Sequence, residues 1–325
     1  MKRIAFIIPY FGSFNNYFNL FLQSCEKNKD LCDWIIFTDD KKKYNYPSNV
    51  YVHYCKWTDL VDYIQSKFDV EISLDRPYKL CDFRPMYGYI FENYLKEYDF
   101  WGYCDTDLIW GKISHFLNDS ILNEYDKIFN LGHCTIFKNS FDNIHSFELD
   151  FNGQERYLQV ITNSENESFD EEYGRKSIND IFVYHKLKLF EESFAANIYM
   201  KSSNFRLTSM NKNHTSYIVE RIKKNFFVVN NNGLYRYVIG KNNNFSVDEF
   251  MYIHMQSRKM KNLLPNNFTG EYKIIPNSME PIEISSSSIN FYNIRQIKTK
   301  HFNLHYFRLR SHNLADKIMK RWRSK

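Results

Sequence analysis

No stretch of this chain stays apolar over the roughly 18–20 residues that a membrane-spanning helix requires. Its six cysteines lack a Cys-x-x-Cys pair or other metal-type spacing, and they stand at positions 25, 32, 55, 81, 104 and 134. Several lie in apolar runs, and no signal peptide precedes them, so we expect reduced and mostly buried thiols. The sequence therefore predicts a cytoplasmic protein, either soluble or bound peripherally to the inner face of the cell membrane.

Internal repeats and Pro- or Gly-rich linkers are also absent, so no composition change divides the 325 residues cleanly. We expect one catalytic domain over residues 1–265 and a C-terminal appendage over residues 266–325. The net charge of +5 is too small to indicate nucleic-acid binding. Aromatic residues make up 18% of the chain, which excludes disorder for most of it and favours a large core.

The order of apolar segments indicates the fold class. Residues 4–9, 33–40 and 50–54 are predicted strands, and helical spacing over 15–25 places a helix between the first two. Strand, helix and strand in succession predict a mostly parallel central sheet flanked by helices. Ligands of such sheets bind outside the carboxyl ends of the strands, where this chain places polar residues.

Later segments are less regular. Residues 128–137 are a predicted strand interrupted at Gly132 and His133, and residues 150–178 are polar and predicted to form long loops. Short strands with Asn-rich turns are predicted over residues 200–250.

The most informative feature is an Asp-x-Asp motif, Asp105 and Asp107, at the end of the apolar and aromatic run within residues 101–110. A helix predicted over residues 87–95 precedes that run. Carboxylates at a buried strand end are costly unless something compensates for their lost hydration, and a divalent cation does so well. The tripeptide alone is a common pattern, so its significance depends on other segments.

Four segments carry residue types that suit such a site, although each also has an ordinary structural explanation. Asp82 and Arg84 could be an internal ion pair, Gly132 could be required by backbone shape, and the acidic segment could be a solvated loop. His254 could be a hydrogen-bonded histidine that precedes a basic turn. The segments contain Lys79, Asp82 and Arg84; Gly132 and His133; Asp170, Glu171 and Glu172; and His254, Arg258 and Lys259.

Asp82 and Arg84, a helix and then Asp105-x-Asp107 are similar to a pattern in retaining GT-A glycosyltransferases of the polysaccharide-mannosyl and toxin-glucosyl type. This chain lacks the Gly-Gly pair that precedes the motif in those enzymes, and its Asp-to-Arg spacing is one residue shorter. His254 and the basic residues after it resemble the C-terminal His and basic residue of glycogenin-like enzymes.

Over residues 1–260 the chain resembles a poorly characterised group of bacterial glycosyltransferases from capsule and lipopolysaccharide clusters. The shared segments are Ile-Pro-Tyr-Phe-Gly at 8–12, Phe-Thr-Asp-Asp at 37–40, Tyr-Lys-Leu-Cys-Asp-Phe at 78–83 and His-x-Gln-x-Arg-Lys-Met at 254–260. The resemblance implies a GT-A fold, a divalent metal (manganese or magnesium) and a nucleotide-sugar donor.

The resemblance also implies roles for individual residues. The expected metal ligands are Asp105, Asp107 and His254. The expected contacts to the sugar donor are Pro9, Tyr10, Phe11, Thr38 and Asp39 at the base and ribose, Lys79, Asp82, Arg84, Asp105 and Thr106 around the donor, and Arg258 and Lys259 at the diphosphate. The expected groups at the transferred sugar are His133, Asp170 and Glu171, with either carboxylate as general base if the reaction inverts configuration.

The C-terminal residues 298–325 hold nine Lys or Arg and one acid, and Leu314, Ile318 and Trp322 recur at four-residue spacing. This pattern predicts a basic amphipathic helix, which either lies on an anionic membrane surface or docks its apolar face on the domain.

The sequence as a whole predicts a metal-dependent glycosyltransferase. It would move a sugar from a nucleoside diphosphate, with UDP favoured, to a cell-surface polysaccharide or a lipid-linked oligosaccharide. Retention of configuration is favoured only by analogy. The alternatives are a metal-dependent phosphoesterase and a non-catalytic carbohydrate- or nucleic-acid-binding protein.

Overall fold

The computed structural model describes residues 2–222, 224–241, 244–256, 258–265 and 268–301, and then residues 304, 308, 311, 312, 314, 315 and 319. The chain forms two compact units. Unit 1 comprises Met1–Thr106 and Ile113–Ser193, and unit 2 comprises Asp107–Lys112 and Phe194–Lys325. The boundary expected at residue 265 and the C-terminal appendage remain predictions.

Unit 1 is a mixed α/β structure. Numbered along the whole chain, its strands are β1 (Ile4–Tyr10), β2 (Cys32–Thr38), β3 (Val50–Tyr54), β4 (Phe100–Cys104), β6 (Lys127–Leu131), β7 (Cys134–Lys138) and β8 (Leu189–Phe190). Its α-helices are α1 (Phe18–Glu26), α2 (Trp57–Gln65), α3 (Leu80–Phe83), α4 (Tyr87–Ile90), α5 (Asp119–Glu124), α6 (Phe141–Ile144), α7 (Arg156–Thr162) and α8 (Ile178–Tyr184). Short 3₁₀ turns occur at Pro77–Lys79, Arg84–Met86, Glu92–Tyr94, Ile113–His115 and Ser146–Glu148.

The seven strands of unit 1 form one sheet in the order β3-β2-β1-β4-β7-β6-β8. Strands β3, β2, β1 and β4 pair in parallel, β7 is antiparallel to both β4 and β6, and β8 is parallel to β6. The predicted strands at 4–9, 33–40 and 50–54 and the parallel arrangement are therefore confirmed. The parallel strands bring the carboxyl ends of β1, β2 and β4 to the same edge of the sheet.

Two predicted elements differ from the structure. Residues 128–137 form an antiparallel hairpin of two strands, with Gly132 and His133 in the turn, rather than one interrupted strand. Residues 87–95 form only a short helix and a 3₁₀ turn. Gly88 explains part of this, because glycine and aromatic residues are weak helix formers. The glycine is required by packing, since a Cβ at this position would lie 2.4 Å from the Trp101 indole.

The core of unit 1 is built around β4, all of whose residues are buried. The Trp101 ring stacks on Phe137 with centroids 4.4 Å apart, and Tyr103 meets Tyr87 edge to face at 6.2 Å. Helix α7, within the predicted loop region at 150–178, adds Val160 to the same core. The motif thus follows directly from a strand that core packing holds in place on both faces.

Unit 2 is mostly antiparallel. Its strands are β5 (Leu108–Trp110), β9 (Ala195–Asn197), β10 (Thr208–Met210), β11 (Tyr217–Val219), β12 (Asn225–Val229), β13 (Leu234–Ile239), β14 (Phe245–Phe250), β15 (Tyr252–His254), β16 (Lys261–Asn262), β17 (Tyr272–Ile275) and β18 (Ser278–Pro281). They form a six-stranded sheet in the order β14-β13-β12-β17-β18-β16, a three-stranded sheet β5-β15-β9, and the two-stranded sheet β10-β11. Short 3₁₀ turns lie at Ser286–Ser288 and Ile294–Gln296. The short strands predicted over residues 200–250 are confirmed.

All six cysteines are free, and four of them are buried, as predicted. Among the residues that the structure describes, no helix is both long and apolar enough to cross a membrane. Leu314 in the predicted basic tail is helical and 60% exposed, whereas Ile318 and Trp322 lie outside the described residues.

Gly102 provides a test of the packing in unit 1. A Cβ at this position of β4 would lie 2.4 Å from the Thr135 backbone oxygen, so Gly102→Ala must force β4 and β7 apart. We expect it to lower the free energy of unfolding by about 3 kcal/mol, measured from the urea midpoint. Gly240→Ala is the control, because its Cβ would lie 3.2 Å from the nearest atom, Asn244 O. Equal losses in both variants would contradict the argument.

Candidate active site

The Asp-x-Asp motif is fixed by backbone contacts on both sides. In unit 1, the Asp105 amide donates to His133 O at 3.0 Å and Asn15 Nδ2 donates to Thr106 O at 3.1 Å. In unit 2, the Met255 amide donates to Asp107 O at 3.1 Å. The chain passes from unit 1 to unit 2 between Thr106 and Asp107. The backbone of both aspartates is therefore constrained.

The three-stranded sheet of unit 2 places a histidine beside Asp107. Strand β15 pairs with β5 so that His254 lies opposite Leu108, the residue after Asp107. His254 Nε2 lies 3.3 Å from Asp107 Oδ1, and both side chains are largely buried. A contact that the sequence separates by more than a hundred residues is thus created by strand pairing.

Asn197 on β9 determines how this histidine can act. Its Oδ1 lies 3.1 Å from His254 Nδ1 and accepts a hydrogen bond from Gln256 Nε2 at 2.7 Å. An acceptor at Nδ1 favours the neutral tautomer that carries its proton there, which leaves the Nε2 lone pair facing Asp107. At 3.3 Å the two groups form an ion pair if the imidazole is protonated, and if it is neutral they can both bind one cation. The geometry of this pair therefore fits a metal ion.

Within unit 2, Asp107 and His254 are possible ligands of one metal ion, and Asp105 precedes Asp107 by two residues in the motif. Two carboxylates and an imidazole suit a divalent cation such as manganese or magnesium. The expected ligand set of Asp105, Asp107 and His254 remains a prediction.

Arg84 links the motif to the acidic loop of unit 1. Its guanidinium forms an ion pair with Asp105, donates to Asp170 Oδ2 at 3.0 Å and donates to the Gly132 carbonyl at 2.8 Å. The same group lies over the Tyr103 ring at 5.5 Å. The arginine therefore fixes the spacing between two carboxylates that would otherwise repel each other.

Asp170 is almost completely buried, and burial raises the pKa of its carboxyl to about 7. The Arg84 guanidinium opposes this shift, whereas the neighbouring Glu171 carboxylate adds to it. A carboxyl group with a pKa near neutrality can take up a proton under ordinary conditions, which is a property of general bases.

Gly132 allows the acidic loop to approach the β6–β7 turn. Its amide donates to Glu171 Oε2 at 2.8 Å, and a Cβ at this position would lie 2.5 Å from Asp170 Oδ2. The glycine is therefore required by the close approach of the two carboxylates, and His133 follows it with its side chain buried.

Lys79 and Asp82 bind each other and the backbone of the segment before Asp170. They form a fully buried ion pair at 2.9 Å, and Asp82 accepts hydrogen bonds from the Glu167 and Phe169 amides at 2.9 and 3.1 Å. Lys79 Nζ also donates to Glu165 O at 2.6 Å. Neither side chain reaches solvent in this conformation. They hold the segment that leads to Asp170, and their expected role in orienting the sugar donor remains a prediction.

Arg258 is likewise turned toward protein backbone. It donates to Ser202 O at 2.5 Å and Tyr199 O at 3.3 Å, and burial lowers its pKa to about 10. Its expected contact with a diphosphate would require these bonds to open. Lys259 beside it is exposed, and its role remains a prediction.

The expected nucleotide-binding segments meet at the carboxyl ends of β1 and β2. Asp39 Oδ1 accepts a hydrogen bond from the Gly12 amide at 2.8 Å, in a turn where Gly12 has a φ of +97°. Thr38 is fully buried and accepts from the Asp40 amide at 3.1 Å. Pro9, Tyr10 and Phe11, which end β1 and lead into this turn, are each partly exposed.

Two polar groups at the site were not anticipated from the sequence. Asn197 belongs to no recognisable motif. Lys127 is fully buried, with a pKa lowered to about 7 by burial, and donates to Phe129 O at 2.7 Å and Asn179 Oδ1 at 2.6 Å. Asn179 Nδ2 in turn donates to Glu171 O at 2.9 Å. A lysine within an apolar strand was the available signal for this buried network.

The fold and the site define a mixed α/β protein with a candidate divalent-metal centre. The chain belongs to the Family of unknown function (DUF6625), whose model matches residues 6–283. No curated protein matches the chain.

Two solved structures that are similar in part are glycosyltransferases. The apo-form glycosyltransferase GlyE of Streptococcus pneumoniae TIGR4 is 13% identical with a TM-score of 0.33, over 60% of this chain and 46% of the GlyE chain. Mouse xyloside xylosyltransferase 1, also in its apo form, is 8% identical with a TM-score of 0.34, over 61% of this chain and 88% of its own. The chain thus spans less than half of GlyE, and with TM-scores this low neither similarity enters the functional argument.

Asn197 can be tested through metal binding alone. We expect Asn197→Ala to weaken Mn²⁺ binding by about 10- to 100-fold, because His254 loses the acceptor that fixes its tautomer. Asn197→Asp keeps an acceptor and should bind at least as well as the parent chain. Asn232→Ala, in an exposed turn, is the matched control, and titration calorimetry is the measurement. Unchanged Mn²⁺ affinity in Asn197→Ala would refute the proposed role.

Proposed function

We propose that this protein is a metal-dependent glycosyltransferase that uses a nucleoside-diphosphate sugar, with UDP as the nucleotide. The observation that carries the proposal is the Asp107–His254 pair, with His254 Nε2 and Asp107 Oδ1 3.3 Å apart, in a motif whose first aspartate is Asp105. Asp105, Asp107 and His254 would hold the divalent metal. When bound, that metal would neutralise the negative charge that builds on the diphosphate leaving group.

The protein's own residues would bind and orient the substrates around this centre. The ends of β1 and β2, from Pro9 to Phe11 and at Thr38 and Asp39, would receive the base and ribose, with Thr106 also near the sugar donor. Their location at the carboxyl edge of a parallel sheet supports this assignment. Lys259, which is exposed, would contact a phosphate.

Asp170 would face the transferred sugar. It is held by Arg84, and its raised pKa of about 7 suits proton transfer near neutrality. If the reaction inverts configuration, we assign the general base to this carboxylate, with Glu171 fixing the turn at Gly132 beside it. His133 would complete the wall of the sugar site. If the reaction retains configuration, Asp170 would orient a sugar hydroxyl instead.

The acceptor proposed is a cell-surface polysaccharide or a lipid-linked oligosaccharide. This part of the proposal rests on the sequence resemblance to bacterial capsule and lipopolysaccharide transferases, and so does the location at the inner face of the membrane.

A panel of UDP-, GDP- and CMP-sugars, assayed for binding and slow hydrolysis with and without Mn²⁺, tests the donor class. We expect a Mn²⁺-dependent response to one donor and its loss by at least about 100-fold in Asp107→Ala, because a metal ligand is removed. Asp119→Asn, an exposed acid at the start of α5, is the matched control and should retain full turnover.

Other outcomes would identify a different class of protein. Metal-dependent cleavage of simple phosphoesters, without a response to nucleotide sugars, would indicate a phosphoesterase. Silence across the panel, with the protein shown to be folded, would favour a carbohydrate-binding protein. Full metal-dependent turnover in Asp107→Ala would overturn the metal assignment itself.

Gly132→Ala tests the role of the acidic loop independently of the metal centre. The added Cβ would collide with the Asp170 carboxylate at 2.5 Å and displace it from Arg84. We expect turnover to fall by about 100-fold while Mn²⁺ affinity stays unchanged, since neither group is a proposed metal ligand. Gly153→Ala is the control for a loss of stability alone, because its φ of +74° strains an alanine but no atom lies within 4 Å of the added Cβ. Parental turnover in Gly132→Ala would exclude Asp170 from the reaction.

A further inference from the structure

We propose that the β10–β11 hairpin of unit 2, residues 208–219, is a contact surface for an anionic membrane. Its apolar side chains are exposed on both faces. Tyr217 is 52% and Ile218 56% exposed, although adjacent residues of a strand point to opposite faces. Neither apolar side chain can therefore be accounted for by packing against the rest of unit 2. Exposed apolar surface of this kind often marks an interaction site.

The hairpin is a formed structure rather than a loose loop. Thr208 pairs with Val219, and Met210 pairs with Tyr217, in an antiparallel ladder. At the tip, Asn211 Oδ1 accepts hydrogen bonds from the Thr215 and Ser216 amides at 2.8 and 3.2 Å. The exposed apolar side chains are thus held in place before any partner binds, which reduces the entropy lost on binding.

The base of the hairpin is fastened to the unit by polar contacts. Arg258 binds the carbonyls of Tyr199 and Ser202 just before it. Glu220, just after it, accepts from the Leu207 amide at 2.8 Å and forms an ion pair with Arg236 at 2.9 Å. Arg258 therefore fastens the base of the hairpin, which differs from its expected contact with a phosphate.

Charge identifies the kind of partner. Residues 200–224 contain six Lys or Arg and one acid, Glu220, which pairs with Arg236; the same guanidinium also pairs with Asp248. Four of these cations are exposed, namely Lys201, Lys212, Arg221 and Lys224. Exposed cations beside Tyr and Ile side chains complement a surface that is anionic at its headgroups and apolar beneath. A neutral glycan would gain nothing from the cations.

This inference concerns a surface that the proposed reaction does not use, so it stands or fails separately. A lipid-linked acceptor would give the hairpin a purpose, but binding to lipid can be measured without any sugar donor. The C-terminal basic tail predicted from the sequence is a different segment, and the test must distinguish the two.

The experiment is vesicle flotation with the full chain, using phosphatidylcholine vesicles with and without phosphatidylglycerol. We expect binding that requires the anionic lipid. Tyr217→Ser/Ile218→Ser should reduce it at least about tenfold, and Lys212→Glu/Arg221→Glu by a similar factor, since each cation near such a surface contributes about fivefold. Phe141→Ser/Val183→Ser is the matched control, because both residues are exposed apolar side chains of unit 1.

Circular dichroism and turnover of a soluble donor without vesicles would show that each variant is folded and that the metal site is intact. Undiminished vesicle binding in both hairpin variants would assign the contact to another segment and overturn the proposal. Equal binding to vesicles of phosphatidylcholine alone, no binding to either vesicle, or loss of affinity only for a soluble oligosaccharide would also overturn it.

Discussion

The arrangement of carboxylates at the end of β4 constrains the rest of unit 1. Asp105 and Asp170 can lie near each other only because Arg84 binds both of them and the Gly132 carbonyl as well. That arginine is carried on a short 3₁₀ turn, and its neighbours Lys79 and Asp82 fix the opposite segment through a fully buried ion pair. A buried pair of this kind is costly to break, because removing one partner leaves a bare charge.

In unit 2 the second aspartate of the motif is paired in a different way. There Asp107 faces Nε2 of His254, and the Asn197 side chain contacts Nδ1 on the other side of the ring. Asp105 is therefore paired with a guanidinium, whereas Asp107 is paired with an imidazole. This asymmetry is the physical basis for the proposed glycosyltransferase, in which the metal would meet a diphosphate.

Much of the fold could be predicted from sequence pattern. The strands at 4–9, 33–40 and 50–54 were identified because apolar runs of that length, bounded by polar residues, have one common explanation. The hairpin at Gly132 was missed because an apolar run broken by two residues does not reveal whether the chain continues or reverses. The expected triad of Asp105, Asp107 and His254 came from a resemblance, and no local pattern joins the histidine to the motif.

The sequence by itself determined the residue types, the buried strand before the motif and the acidic character of its end, since these follow from local order along the chain. Only the tertiary structure decided which charges are neutralised internally. Lys79, Asp82 and Arg258 differ little in sequence from ligand-binding residues, yet all three bind within the protein, to one another or to its backbone. Distances between groups far apart in the chain depend on strand pairing and packing, and local composition does not encode them.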